Sequence, residues 1–150
     1  MKDKIKALFH LFLPIIGGSL IGFITNKSID YSNLIKPPLT PPKILYPIAW
    51  SIIYLLLGIS YYLYKKRNND KTVDIVYYIG LIVNYLWTFI FFVFKLRLLA
   101  IFWIILLDIL VILLAILYYK YEKKSALLLI PYILWIIFAT YLTTGIYVLN

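Results

Sequence analysis

Residues 98–119 read LLAIFWIILLDILVILLAILYY, with a single formally charged side chain, Asp108. An apolar run of about 18 residues or more crosses the roughly 30 Å hydrocarbon core of a bilayer as a helix. Outward from this run the same reading applies at residues 5–25, 44–64, 73–94 and 125–149. The chain has 150 residues, of which 64% are apolar and 14% charged, and its mean hydropathy is +0.93. Soluble domains run at about 45–50% apolar and about 25% charged. A soluble fold of this size hides only about 68–70% of the surface its unfolded chain exposes, too little for such a composition. Disorder needs low hydrophobicity and is equally excluded. The expected fold is therefore an all-α membrane protein. Residues 1–150 should form one domain, a single bundle of five transmembrane helices with a Pro-rich loop between helices 1 and 2.

The charges agree with this. The net charge of +9 sits in short clusters between apolar runs, as in loops that face anionic headgroups and not as in a nucleic-acid surface. Lys2, Lys4, Lys6, Lys65, Lys66, Arg67, Lys71, Lys120, Lys123 and Lys124 fall on one side. Only Lys27, Lys36, Lys43, Lys95 and Arg97 fall on the other. The positive-inside rule then predicts a cytoplasmic N-terminus and an outside C-terminus. The rich Ile, Lys, Tyr and Asn usage suggests a microbial source, hence a bacterial cytoplasmic membrane. Residues 1–25 resemble a signal peptide in outline but lack a small-x-small cleavage site, and are read as a retained first helix.

Of the linkers 26–43, 65–72, 95–97 and 120–124, three are short and force antiparallel neighbours. The first contains Lys36-Pro37-Pro38-Leu39-Thr40-Pro41-Pro42-Lys43, whose prolines block both helix and sheet. It is either a stiff connector or a preformed lid over one mouth of the bundle.

Polar groups inside spans should face the bundle interior. Trp50, Tyr54, Gly58 and Tyr61 share one helical face, Asn84, Trp87 and Phe91 a second, and Trp135, Ala139 and Thr143 a third. Such stripes either pack the bundle or line a site for a flat, mostly apolar ligand. Asn84 at mid-span must be paired, with a ligand or with a neighbouring helix. Asp108 is either a functional carboxylate, a neutral acid, a helix–helix hydrogen bond or a subunit contact. Gly18-Ser19-Leu20-Ile21-Gly22 is a GxxxG that allows close helix approach, within the bundle or between copies. Pro47 falls in the first turn of its helix and Pro131 is placed to kink the last one. There is no cysteine and only one histidine, His10, so thiol catalysis, disulfides and Cys-ligated metals are excluded, and no metal site is expected. No phosphate-cradling loop, HExxH, arginine ladder or pair of intramembrane carboxylates is present.

These residues resemble the TspO/MBR family, the tryptophan-rich sensory proteins of bacteria and the mitochondrial translocator protein or peripheral benzodiazepine receptor. The likeness runs through Lys36-Pro37-x-x-x-Pro41-Pro42, Trp50-x-x-x-Tyr54 with Gly58, Asn84-x-x-Trp87 with Phe91-Phe92, Pro131-Tyr132-x-x-Trp135-x-x-x-Ala139, and the closing Asn150. It implies a five-helix bundle, often a homodimer, whose pocket is capped by the first loop. Its ligands would be porphyrins such as protoporphyrin IX and haem, and isoquinoline carboxamide or benzodiazepine-type molecules, with no cofactor required. The implied ligand-binding residues are Tyr31, Pro41, Trp50, Tyr54, Asn84, Trp87, Trp135, Ala139 and Leu142. The implied function is a tetrapyrrole sensor or translocator. The alternatives are a light-dependent porphyrin-degrading enzyme, with Trp50 and Trp135 as its reactive pair, or a structural bundle without a ligand. The chain departs from the family pattern at Asp30, Leu39, Gly80 and Thr143. It also lacks a basic residue after Tyr147, so the resemblance does not extend to sterol recognition.

Overall fold

In hydrocarbon a backbone amide has no water to bond, so every span must close its own hydrogen bonds as a helix. The computed structural model describes residues 2–29 and 31–150, with the side chains of all of these except Asp3 and Tyr31. Six α-helices form among them: α1 (Lys2–Thr25), α2 (Leu45–Lys65), α3 (Lys71–Thr88), α4 (Arg97–Tyr121), α5 (Lys123–Leu128) and α6 (Ile130–Leu149). No strand occurs among the described residues. Five stretches are long and apolar enough to cross a membrane, the fifth made of α5 and α6 together. The chain is an all-α integral membrane protein, as its composition requires.

Two local features depart from five uninterrupted helices. The fifth span, expected to be one helix over 125–149 with a kink at Pro131, is instead broken at Leu129. Pro131 occupies the first turn of α6, where its missing N–H costs nothing. One continuous helix would have needed that N–H and would have driven the ring into the preceding turn. The third span ends in a π-helical turn, Phe89–Val93, closed by a hydrogen bond of 2.8 Å from Phe94 N to Phe89 O. The chain then reverses into α4 through Lys95, whose φ of 56° lies in the left-handed region. Leu39, inside the proline segment, has a φ of 69°.

α1 packs on α2 and more lightly on α3, α4 bridges α3 and α6, and α5 lies against α2. α1 and α2 approach closely at Gly58, where an added Cβ would lie 1.9 Å from the Leu11 carbonyl oxygen. Only glycine permits that contact. Gly18 likewise receives the Tyr54 ring, which would stand 2.3 Å from its Cβ. The first glycine of the GxxxG is therefore used inside the bundle. The outer faces of α1 and α4 present Phe23, Leu20, Phe102, Ile109 and Ile116 to lipid.

The core at the N-terminal end is built from tyrosine: Tyr61, Tyr64, Tyr77 and Tyr118 are all at most 1% exposed. Tyr61 stacks on Tyr77 with ring centroids 4.0 Å apart, and its hydroxyl donates to Asp74 Oδ1 at 2.8 Å. Lys65 Nζ reaches Asp74 Oδ2 at 2.7 Å. His10 Nδ1 lies 2.8 Å from the Tyr78 hydroxyl. Asp70 caps α3 by accepting from Thr72 N at 2.8 Å and also accepts from the Tyr121 hydroxyl. These donors, Tyr121 first, hold its carboxyl below the usual carboxylate range.

Candidate functional site

At the other end of the bundle, beside the proline segment, lies a cavity of about 450 Å³. Four walls enclose it. Tyr46, Trp50 and Tyr54 recur every fourth residue along one face of α2. Trp135, Ala139, Leu142, Thr143 and Ile146 form the α6 wall. Trp87 and Thr88 close α3, and the π turn adds Phe91 and Phe92. The fourth wall is α1, through Ile15, Gly18, Ile21, Gly22 and Thr25.

The rings support one another. Trp50 stacks on Tyr54 at 5.3 Å and meets Trp135 edge to face at 6.3 Å and 89°. Tyr46 meets Trp135 at 6.0 Å, and Trp87 stacks on Phe91 at 5.1 Å. Asn84 stands behind this wall and is only 2% exposed. It accepts from the Tyr54 hydroxyl at 2.6 Å and donates to the Tyr132 hydroxyl. Its amide is thus the fixed point of the Tyr54 ring. Three hydroxyls of the lining turn back on their own helices: Thr25 to Ile21 O at 2.8 Å, Ser51 to Pro47 O at 2.7 Å, and Thr143 to Ala139 O at 2.7 Å. What faces the space is largely aromatic and aliphatic carbon.

The proline segment is docked on α6. Ile35 N donates to Asn150 Oδ1 at 3.0 Å, and Asn150 Nδ2 donates to Ile35 O at 2.8 Å. Tyr141 donates to Pro38 O at 2.7 Å. Pro37 seats against Gly145, where an added Cβ would come within 2.7 Å of its ring.

Of the residues expected at a ligand site, Trp50, Tyr54, Trp87, Trp135, Ala139 and Leu142 line this cavity together. Asn84 lies behind the lining and Pro41 outside it. The Tyr31 side chain and Asp30 lie outside the described residues. Asp108 is away from the cavity: Thr140 Oγ1 donates to its Oδ2 at 2.7 Å, joining α4 to α6. No cluster of metal-ligating side chains occurs among the described residues. Sequence reasoning missed the α1 wall, Tyr46 and Lys43. Glycine and isoleucine on a uniformly apolar helix carry no polar signal to mark an inward face.

A helical membrane bundle with a ring-walled hollow beside a docked proline connector is the class that the fold and site define. The chain belongs to the TspO/MBR family, whose sequence profile matches residues 10–149. It is similar to the tryptophan-rich protein TspO of Archaeoglobus fulgidus, with 39% identity over 132 residues, 85% of this chain and 86% of that one. A tryptophan-rich protein TspO of Chlorobaculum tepidum is 32% identical over 126 residues, 80% of this chain and 78% of that one. A translocator protein homolog of Schizosaccharomyces pombe is 29% identical over 144 residues, 92% and 88% of the two chains.

Proposed function

We propose that this chain is a membrane sensor or translocator that binds a flat, largely apolar ligand of the tetrapyrrole class, porphyrin or haem, in the ring-walled cavity. The observation that carries the reading is the Trp50–Trp135 pair, held edge to face at 6.3 Å on two different helices beside an open space. A volume of about 450 Å³ falls within the roughly 300–1,000 Å³ of small-molecule pockets. Stacking on the Trp50, Tyr54 and Trp135 rings provides most of the affinity. Isoquinoline carboxamide and benzodiazepine-type molecules share the same flat apolar character and fit the same reading. The excess of Lys and Arg around the N-terminus and the second and fourth loops supports a cytoplasmic N-terminus.

The test is a titration of the full chain in detergent micelles with protoporphyrin IX, followed by quenching of tryptophan fluorescence. Trp87 and Trp103 remain as reporters in the Trp50→Phe, Trp135→Phe double variant. Each aromatic contact contributes about 0.5–1.5 kcal/mol beyond its area, so the double variant should bind about tenfold more weakly. Unchanged affinity would reject this cavity as the site. The same pair supports a second reading, porphyrin degradation under light. Product formed over many turnovers would establish it, and stoichiometric bleaching would reject it.

A further inference from the structure

Among the described residues, Lys43 is the only charged one that lines the cavity. It stands at the mouth, exposed, between the proline segment and the first turn of α2, and its ammonium has no ion-pair partner among the described residues. The linkers at this end of the bundle are net basic in sequence. They carry Lys27, Lys36, Lys95 and Arg97 against the single acid Asp30, whereas Asp70, Asp74 and Glu122 belong to the opposite end. Deeper in, the amide of Asn84 bonds to Tyr54 and Tyr132, and the Thr25, Ser51 and Thr143 hydroxyls are bonded to their own helices. Among the described residues the interior thus offers an anion no opposite charge, and the mouth has a cation.

From this asymmetry we infer that Lys43 sets both the orientation and the chemical class of the ligand: a flat apolar ring system enters rings first, and an anionic arm, a carboxylate, stays at the mouth on the Lys43 ammonium. A charge carried into the ring-walled interior would be desolvated without an opposite charge beside it, whereas at the mouth it keeps water and gains one. The basic rim raises the local concentration of such acids and aligns them as they approach. Lys43 therefore discriminates the free acid of a ligand from its neutral ester. This inference rests on the ligand-binding reading above, and its test separates the two.

The full chain in neutral detergent micelles is titrated with protoporphyrin IX and with its dimethyl ester, for the wild type, Lys43→Gln and Lys43→Arg. The wild type should prefer the acid over the ester. Lys43→Gln should weaken acid binding about three- to fivefold, the range of a partly exposed ion pair, and leave ester binding unchanged. Lys43→Arg should restore the preference, and added salt should narrow it. Equal losses for acid and ester, or no loss for either, overturn the inference while leaving the cavity as the site. A preference that emerges only when anionic phosphatidylglycerol is added assigns Lys43 to lipid headgroups and also overturns it. Failure of both compounds to quench the wild type saturably overturns the cavity reading itself, and this inference with it.

Discussion

Gly58→Ala puts packing against helix propensity, and the two predict opposite signs. Within a helix, replacing glycine by alanine is favourable by about 1 kcal/mol, because alanine has less backbone freedom to lose. At Gly58 the new methyl would lie 1.9 Å from the Leu11 carbonyl oxygen, a backbone atom with no rotamer to move. Restoring an ordinary contact of about 3.5 Å requires α1 and α2 to part by roughly 1.5 Å. Overpacking of this kind costs about 1–3 kcal/mol, and a backbone-to-backbone clash belongs at the upper end. After the propensity gain, Gly58→Ala should destabilise the protein by about 2 kcal/mol. Gly80→Ala is the control, since nothing but Leu110 Cβ at 4.0 Å stands near the added methyl; it should stabilise by up to about 1 kcal/mol. Reversible unfolding in mixed micelles with increasing SDS, followed by helical circular dichroism, reads both. Because α1 is one wall of the cavity, Gly58→Ala should also weaken ligand binding. A Gly58→Ala protein as stable as Gly80→Ala would refute the reasoning.

Asn84→Leu keeps the branching at Cγ but leaves the Tyr54 and Tyr132 hydroxyls without their partner; a loss of about 1–3 kcal/mol is expected by the same unfolding assay, together with a shifted Trp50 emission as Tyr54 loosens. Lys95→Val forces a β-branched residue into a left-handed turn and should lower the thermal midpoint, whereas Lys95→Gly should not; equal midpoints would remove the argument from backbone strain. Asp70, with its carboxyl held below the usual range, binds its proton more weakly folded than unfolded. Its contribution is therefore fully present above the unfolded value of about 4 and fades as pH falls through the lower folded value. Thermal midpoints measured from pH 6 to 3 should fall less steeply for Asp70→Asn than for the wild type.

The spans were legible because bilayer thickness converts directly into run length, and five runs of apolar residues can hardly be misread. The aromatic stripes were legible for the same periodic reason: Trp50 and Tyr54, or Trp135 and Ala139, sit four apart on helices that must turn polar and bulky faces inward. The break at Leu129 was only half visible, since Pro131 marks a disturbance without saying whether the helix bends or restarts. The π turn at Phe89–Val93 left no mark, because Phe89-Ile90-Phe91-Phe92-Val93 is apolar in either winding. Asn84 was recognisable as a group needing a partner, but its choice of Tyr54 and Tyr132 depends on how three helices meet. The α1 wall was hidden by uniform hydrophobicity, which gives a helix no distinguishable side.

The clasp between Ile35 and Asn150 joins positions 115 residues apart. Because this clasp requires the fifth span to be in place, the proline segment is fastened only when bilayer insertion of the chain is nearly complete. A nascent chain with four spans inserted exposes the rings of α2 and α3 on an open flank, and the α6 segment supplies both the missing wall and the anchor of the proline segment.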